Sequence, residues 1–393
     1  MDRIRNPFAP GAGNPPPELA GRAAVLDDAE ILLGRLVIGR PVQGMILVGL
    51  RGVGKTVLLV KMKDIAESKQ VKVHLAEARE GASLPDLIVP GLRSILLSLS
   101  FIESAKEKAR RATRVLASFL RSVKVSVDGV EYGFGIDPEI GAADSGDLEI
   151  DLPELFAAVG EAAKAAERPV LLLIDELQYL SEKEFSSLIM AMHRISQANL
   201  PFSMIGAGLP QVLGLAGESK SYAERLFKYP KIGALADADA RAAVRNPVLA
   251  EGARIHDEAV SEILKVTEGY PYFLQQWSHD AWNAAEGESI SYADVVAAHD
   301  QSIRQLDESF FRVRFDRCTP SEKRYMRALA EFGPGAHRSG DVAERLGVKT
   351  TSVGPTRGKL IRKGMIYSPQ HGDTAFTVPL FDAYMRRAMP TLE

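Results

Sequence analysis

Gly49-Leu50-Arg51-Gly52-Val53-Gly54-Lys55-Thr56 decides how this chain is read. The apolar run Met45-Ile46-Leu47-Val48 before it predicts a short buried strand, and Val57-Leu58-Leu59-Val60-Lys61-Met62 after it predicts a helix. Glycines at 49, 52 and 54 allow a tight turn that aims successive backbone N–H groups at one anion. The helix N-terminus behind the turn adds positive dipole. Lys55 brings a full charge, and the Thr56 hydroxyl is a natural ligand for Mg²⁺. Residues Gly49 to Val57 are therefore a candidate cradle for the phosphates of a nucleotide.

Working outward, Val170-Leu171-Leu172-Leu173-Ile174 predicts a second buried strand, ending in Asp175-Glu176. Carboxylates at the carboxyl end of a strand lie where open α/β sheets bind their ligands. Asp175 is expected to hold Mg²⁺ through water, and Glu176 to orient or deprotonate an attacking water. Further strands are expected at 71–75 and 202–206, with helices at 26–38, 54–68, 152–167 and 182–198. Two more helical pieces fill 83–122 and split near Phe101. Short apolar strands alternating with helices specify a parallel α/β sheet with helices on both faces. Between them, residues 123–127 and 130–134 alternate around Asp128-Gly129 and predict a hairpin. The acidic stretch 137–151 reads as a mobile loop. At the N-terminus, residues 1–18 are rich in Pro and Gly and are expected to run extended with Phe8 tucked in.

From Asp237 the pattern turns all-helical, at about 237–250, 257–268, 271–286 and 291–310. Thr319-Pro320-Ser321-Glu322 is a capping box that opens a new unit. Helices at 320–331, 339–346 and 351–363 precede paired strands at 365–368 and 374–378, the outline of a winged helix. Its third helix carries Lys349, Thr350, Thr351, Ser352, Arg357, Lys359, Arg362 and Lys363, side chains suited to phosphates and base edges in a DNA groove. Residues 317–393 hold 13 Lys/Arg against 7 Asp/Glu although the whole chain carries −3, so this module is basic on an acidic body. Such a unit also serves for protein contact, and both readings stay open.

With one cysteine, Cys318, the chain has no intramolecular disulfide and no cysteine-built zinc site, which suits a reducing cytoplasm. The stretch after Met1 lacks the apolar segment of a signal peptide, and Leu87 to Ile102, interrupted by Pro90 and Arg93, reads as a core helix. No membrane association is expected.

Together these motifs resemble AAA+-related and STAND-type P-loop ATPases, with a likeness over about residues 15–310. The outline is similar to bacterial and archaeal ATPases of origin-recognition-like layout, which end in a winged helix. Ile174-Asp175-Glu176 looks like a Walker B motif, and Gly206-Ala207-Gly208-Leu209-Pro210 stands at the sensor-1 position without that sensor's usual Asn or Thr. The resemblance implies nucleotide contact by Gly21 and Arg22, and by Pro271 of Gly269-Tyr270-Pro271 on a helical lid. It assigns a sensing or finger role to Arg225, with Arg241 and Arg245 as competitors. The expected fold is a P-loop NTPase α/β core over 21–235 with an insertion at 83–150. A segment 1–20 precedes it, and a helical lid at 236–315 and a winged helix at 316–393 follow. The expected chemistry is ATP binding through Gly49, Leu50, Arg51, Gly52, Val53, Gly54, Lys55, Thr56 and Val57, with Mg²⁺ on Thr56 and Asp175. Hydrolysis would use Glu176, Lys55 and Arg225. ATP and ADP, double-stranded DNA along 339–378, and a nucleotide-dependent homo-oligomer are the expected partners. The alternative is a STAND-type signalling or defence scaffold.

Overall fold

A computed structural model describes residues 1–11, 13–123, 137–219 and 223–392. The expected hairpin within 123–134 lies outside the described residues except for Val123, as do Ser221 and Tyr222. Two compact units form: residues 24–49 with 58–231, and residues 1–23 with 50–57 and 232–393.

The first unit is built on five parallel strands: β1 Gly44–Val48, β2 Lys72–Glu77, β3 Val170–Asp175, β4 Phe202–Gly208 and β5 Phe227–Lys228. Their order is β2-β3-β4-β1-β5. β1, β3 and β4 are buried at every position, because helices cover both faces and no alternation is needed. Register brings Met45 beside Ile205 and Leu173 beside Ile205 from the other side. A Cβ on Gly44 would stand 2.7 Å from the Met204 carbonyl oxygen and 2.6 Å from the Phe227 ring, so only glycine lets β1 start there.

The helices follow capping chemistry. Ser83 caps Leu84–Ser100 and Ser181 caps Glu182–Gln197, each with a reciprocal acidic residue three positions on. The split near Phe101 is a 3-10 turn at Glu103–Ala105, followed by Lys106–Val123. Phe156 of helix Leu148–Ala166 stacks on Phe202 with ring centroids 4.7 Å apart, in a continuous apolar core. Among the described residues no single helix is long and apolar enough to cross a membrane.

The acidic stretch differs from its expected mobile loop. Asp151, fully buried, accepts hydrogen bonds from the Ser145 and Gly146 amides and the Ser122 and Ser145 hydroxyls. Glu139 pairs with Arg111 and Arg114, which hold its carboxyl below the ordinary range. Helix Leu148–Ala166 therefore begins earlier than expected, with Asp147 as its N-cap. Acidic residues that look solvated in sequence here satisfy local backbone donors.

In the second unit the leading segment lies along helix Pro271–Ala284. Asn6 Nδ2 donates to the His279 carbonyl and to Asn283 Oδ1, each at 3.0 Å, Trp282 Nε1 donates to the Asp2 carbonyl at 2.8 Å, and Phe8 is buried. Helices Asp237–Ala250, Asp257–Thr267 and Tyr292–Gln305 complete this helical part, with a short parallel pair of β6 Arg254–Ile255 and β7 Ser289–Ile290. A π-helical stretch, Leu306–Phe311, carries Phe310 and Phe311 towards the end of the chain. There Phe311 packs against Phe381 and Tyr384, and Arg387 grips Asp307 through two hydrogen bonds of 2.6 and 2.8 Å.

The last part of this unit contains helices Pro320–Ala330, Ser339–Arg345, Thr350–Arg362 and Phe381–Ala388. The expected strand pair becomes a three-stranded sheet, because β8 His337–Arg338 adds to β10 Asp373–Phe376 beside β9 Ile366–Tyr367. Arg357 holds this sheet, donating to Thr374 Oγ1, Ser368 Oγ and the Asp373 carbonyl at 2.7–2.8 Å.

Candidate functional site

The glycine-rich loop leaves β1 after Val48, where Gly49 N–H donates to the Gly208 carbonyl of β4 at 3.1 Å. Gly52 and Gly54 then take φ of +81° and +92°, a left-handed geometry that side chains resist, before helix Lys55–Ser68 begins. The N–H groups of Gly52, Val53 and Gly54 have no hydrogen-bond acceptor among the described residues. Consecutive unsatisfied amides ahead of a helix N-terminus have the chemistry that phosphate oxygens require. Lys55 is buried, and its Nζ donates to the Leu50 carbonyl at 2.8 Å, so the ammonium stays within the loop. These residues fit a nucleotide's phosphates.

Several expected partners gather on this loop. Arg22 donates to the Val53 carbonyl at 3.2 Å and to the Gly233 carbonyl at 2.6 Å. Burial lowers the pKa of its guanidinium, and nearby Asp239 opposes that shift. Gly21 turns with φ +66° against Asp239. Pro271 starts its helix at the first turn, as proline does at N1. Its neighbours hold the loop from outside: the Tyr270 hydroxyl donates to the Arg51 carbonyl, and Tyr272 N–H donates to the Gly52 carbonyl at 3.2 Å. Burial pushes the Tyr270 phenol up, so it keeps the proton it donates.

The loop is also bound by the C-terminal part of its own unit. Arg51 N–H donates to the Thr377 carbonyl at 3.3 Å, and Arg51 Nε donates to the Gly364 carbonyl at 3.4 Å. Thr377 Oγ1 donates back to that Gly364 carbonyl at 2.6 Å, so one carbonyl gathers both. These contacts place residues 50–57 with 232–393.

In the sheet unit, Asp175 ends β3, and its Oδ1 accepts Glu176 N–H at 2.8 Å. Glu176 has φ +55°, uncommon for a side-chain-bearing residue. A 3-10 turn, Leu177–Tyr179, follows. Arg225 does not join Glu176 within this unit. It lies in helix Ala223–Leu226 ahead of β5, and its carbonyl accepts Gln43 Nε2 at 2.7 Å just before β1. That is the amino edge of the sheet, whereas Glu176 stands at the carboxyl edge. Arg241 and Arg245, the competing arginines, pair with Asp237 and Asp257.

Sequence reasoning missed Gln178, Tyr270 and Tyr272 as site residues. The two tyrosines flank Pro271 and were legible by position. The signal for Gln178 is its place two residues after Glu176.

Residues 18–205 match a family model described as AAA ATPase domain, and residues 308–385 match one described as Domain of unknown function (DUF8462). No curated protein matches the sequence. Among solved structures, the chain is similar to a Walker-type ATPase of Pyrococcus abyssi at 13% identity and a TM-score of 0.57, covering 94% of this chain and 96% of that one. It is also similar to the Orc1 protein of Aeropyrum pernix in complex with DNA, at 15% identity, 98% and 96% coverage and a TM-score of 0.49. A third is RuvB, the Holliday junction branch migration motor of Thermotoga maritima, at 14% identity, 93% and 96% coverage and a TM-score of 0.45. The first of these likenesses shows the fold.

Proposed function

We propose, from the match of residues 18–205 to the AAA ATPase domain and from the geometry of the phosphate loop, that this chain is an AAA+ P-loop ATPase acting as a switch whose nucleotide state controls a C-terminal winged helix. Residues 316–393 are that winged helix, and 236–315 are the lid. ATP lies on Gly49 to Val57, with Arg22 and the Gly269-Tyr270-Pro271 turn beside it. Thr56 and Asp175 supply hard oxygen ligands suited to Mg²⁺, and Glu176 orients or deprotonates the attacking water.

One observation carries the reading. Arg51, inside the phosphate loop, is hydrogen-bonded to Gly364 and Thr377. A loop that tightens on a γ-phosphate pulls on those bonds directly, as in switches where phosphate contacts reposition a bound segment. The partner we favour is double-stranded DNA along 339–378. Lys349, Lys359 and Arg362 are its contacts. Arg357 and Lys363 support the fold instead, since both are engaged with neighbours. A scaffold that uses the same module for protein contact is the alternative, and its DNA binding would be absent or insensitive to salt.

The test compares duplex DNA affinity with a non-hydrolysable ATP analogue and with ADP. The two affinities are expected to differ at least fivefold, and Arg51→Ala to shrink that difference while leaving ATP bound. Lys55→Ala and Asp175→Ala are expected to weaken nucleotide binding at least tenfold. Unchanged affinity in both variants would sink the site assignment, and equal DNA affinity in both nucleotide states would sink the switch.

A further inference from the structure

The Walker B glutamate is held by a side chain that the reading so far has not used. Gln178 sits in the 3-10 turn after β3 and is 8% exposed. Its Nε2 donates to the Glu176 carboxylate, and its Oε1 accepts Leu209 N–H at 3.0 Å, immediately after β4. The two partners fix which way the amide points. A carboxylate only accepts and a backbone N–H only donates, so the reverse orientation would lose both bonds.

The strand end is shaped around this bridge. A Cβ on Gly208 would come 3.1 Å from Gln178 Oε1 and 2.5 Å from Val212 Cγ2, and one on Gly206 would come 2.3 Å from Leu177 Cδ1. The glycines at 206 and 208 leave room for the turn that carries Gln178. The same strand end lacks the Asn or Thr expected of a sensor. Glu176 meanwhile holds φ +55°, a backbone state that needs support from its surroundings.

We propose that Gln178 is a positioning residue for ATP hydrolysis: it fixes the Glu176 carboxylate and ties its placement to the end of β4. The proposal rests on the reading of Glu176 as the group that takes the water's proton. In that step the water oxygen bonds to the γ-phosphorus as the bond to the β,γ-bridging oxygen breaks. The bridging oxygen leaves on ADP, and the water's proton passes to the Glu176 carboxylate. A neutral amide donor suits this role, since it orients the carboxylate and adds no charge that would quench it. Because Oε1 is held by β4, a shift of that strand end moves the carboxylate with it.

The experiment measures binding of a fluorescent ATP analogue and the kcat and KM of phosphate release for the full chain, Gln178→Ala, Gln178→Glu, Glu176→Gln and the double variant Glu176→Gln with Gln178→Ala. For Gln178→Ala, the nucleotide Kd and KM are expected to stay within about threefold and kcat to fall at least tenfold. Gln178→Glu keeps an acceptor for Leu209 N–H but sets a second carboxylate against Glu176 in place of a donor, so its kcat should fall at least as far as that of Gln178→Ala. The double variant should be no slower than Glu176→Gln alone, the signature of one residue acting through the other.

A Gln178→Ala variant that loses nucleotide affinity in step with kcat, or that slows Glu176→Gln further, overturns the proposal, because a packing role would act on binding and would not need the carboxylate. If Glu176→Gln is inactive while Gln178→Ala is normal, only the positioning role falls. If Glu176→Gln turns over normally, or the parent chain has no turnover with or without DNA, the reading of Glu176 falls and the proposal with it.

Discussion

Lys363 and Glu322 show how a residue that looks like a ligand contact can be a structural necessity. Glu322 is 2% exposed, closes the capping box at Thr319 and accepts Lys363 Nζ at 2.7 Å. Burial raises its pKa, but Lys363 and the Thr319 donors outweigh that and hold its carboxyl below the ordinary range. A carboxyl depressed in the folded state stabilises above its unfolded pKa of about 4.3, and this contribution fades as pH falls through the folded value. Lys363→Met is expected to cost about 2 kcal/mol at neutral pH, less than a fully buried pair because the ammonium is partly solvated. It should also move the onset of acid unfolding to higher pH. Chemical denaturation at pH 7 and pH 5 checks both, and a variant as stable as its parent at both values would remove this role. In the sequence, Lys363 reads only as another cation on a basic helix. Its partner lies 41 residues away and cannot be found by spacing.

At the scale of elements, what was legible followed from local rules. The strand before the loop, the Asp-Glu strand and the capped helices emerged within a few residues of their expected ends, because apolar runs and caps act locally. The two-residue β8, the π-helical stretch and the final helix Phe381–Ala388 were not legible, since distant packing fixes each of them. Glu139 and Asp151 were misread for the same reason, as their partners come from the fold. Arg357 belongs to this class. Its three hydrogen bonds join the helix Thr350–Arg362 to β10 and the turn before it. Arg357→Ala is therefore expected to lower the melting temperature by several degrees, consistent with a loss of about 1–3 kcal/mol. Lys359→Ala should leave stability unchanged, weaken duplex DNA binding across sequences and reduce the salt slope by about one. If Arg357→Ala is thermally silent and Lys359→Ala is not, the division of labour on this helix is the reverse of the one proposed.

At the scale of the molecule, Arg225 bears on assembly. Its backbone stands at the amino edge of its sheet, whereas Glu176 stands at the carboxyl edge, so the finger role we propose for it is one played on a neighbouring copy. Sedimentation or light scattering with an ATP analogue and with ADP should then show a larger particle in one state. Arg225→Ala should depress turnover in proportion to the fraction assembled and leave a dilute, monomeric sample unaffected. A single mass in all conditions would remove the arginine from the chemistry. The leading segment has a different consequence, which lies in biogenesis. Asp2 meets Trp282 across 280 residues of chain. A ribosome therefore releases that segment long before its seat exists, whereas the sheet unit, residues 24–49 with 58–231, is complete once residue 231 has emerged. Until helix Pro271–Ala284 has been made, Asp2 and Asn6 lack the partners that seat them.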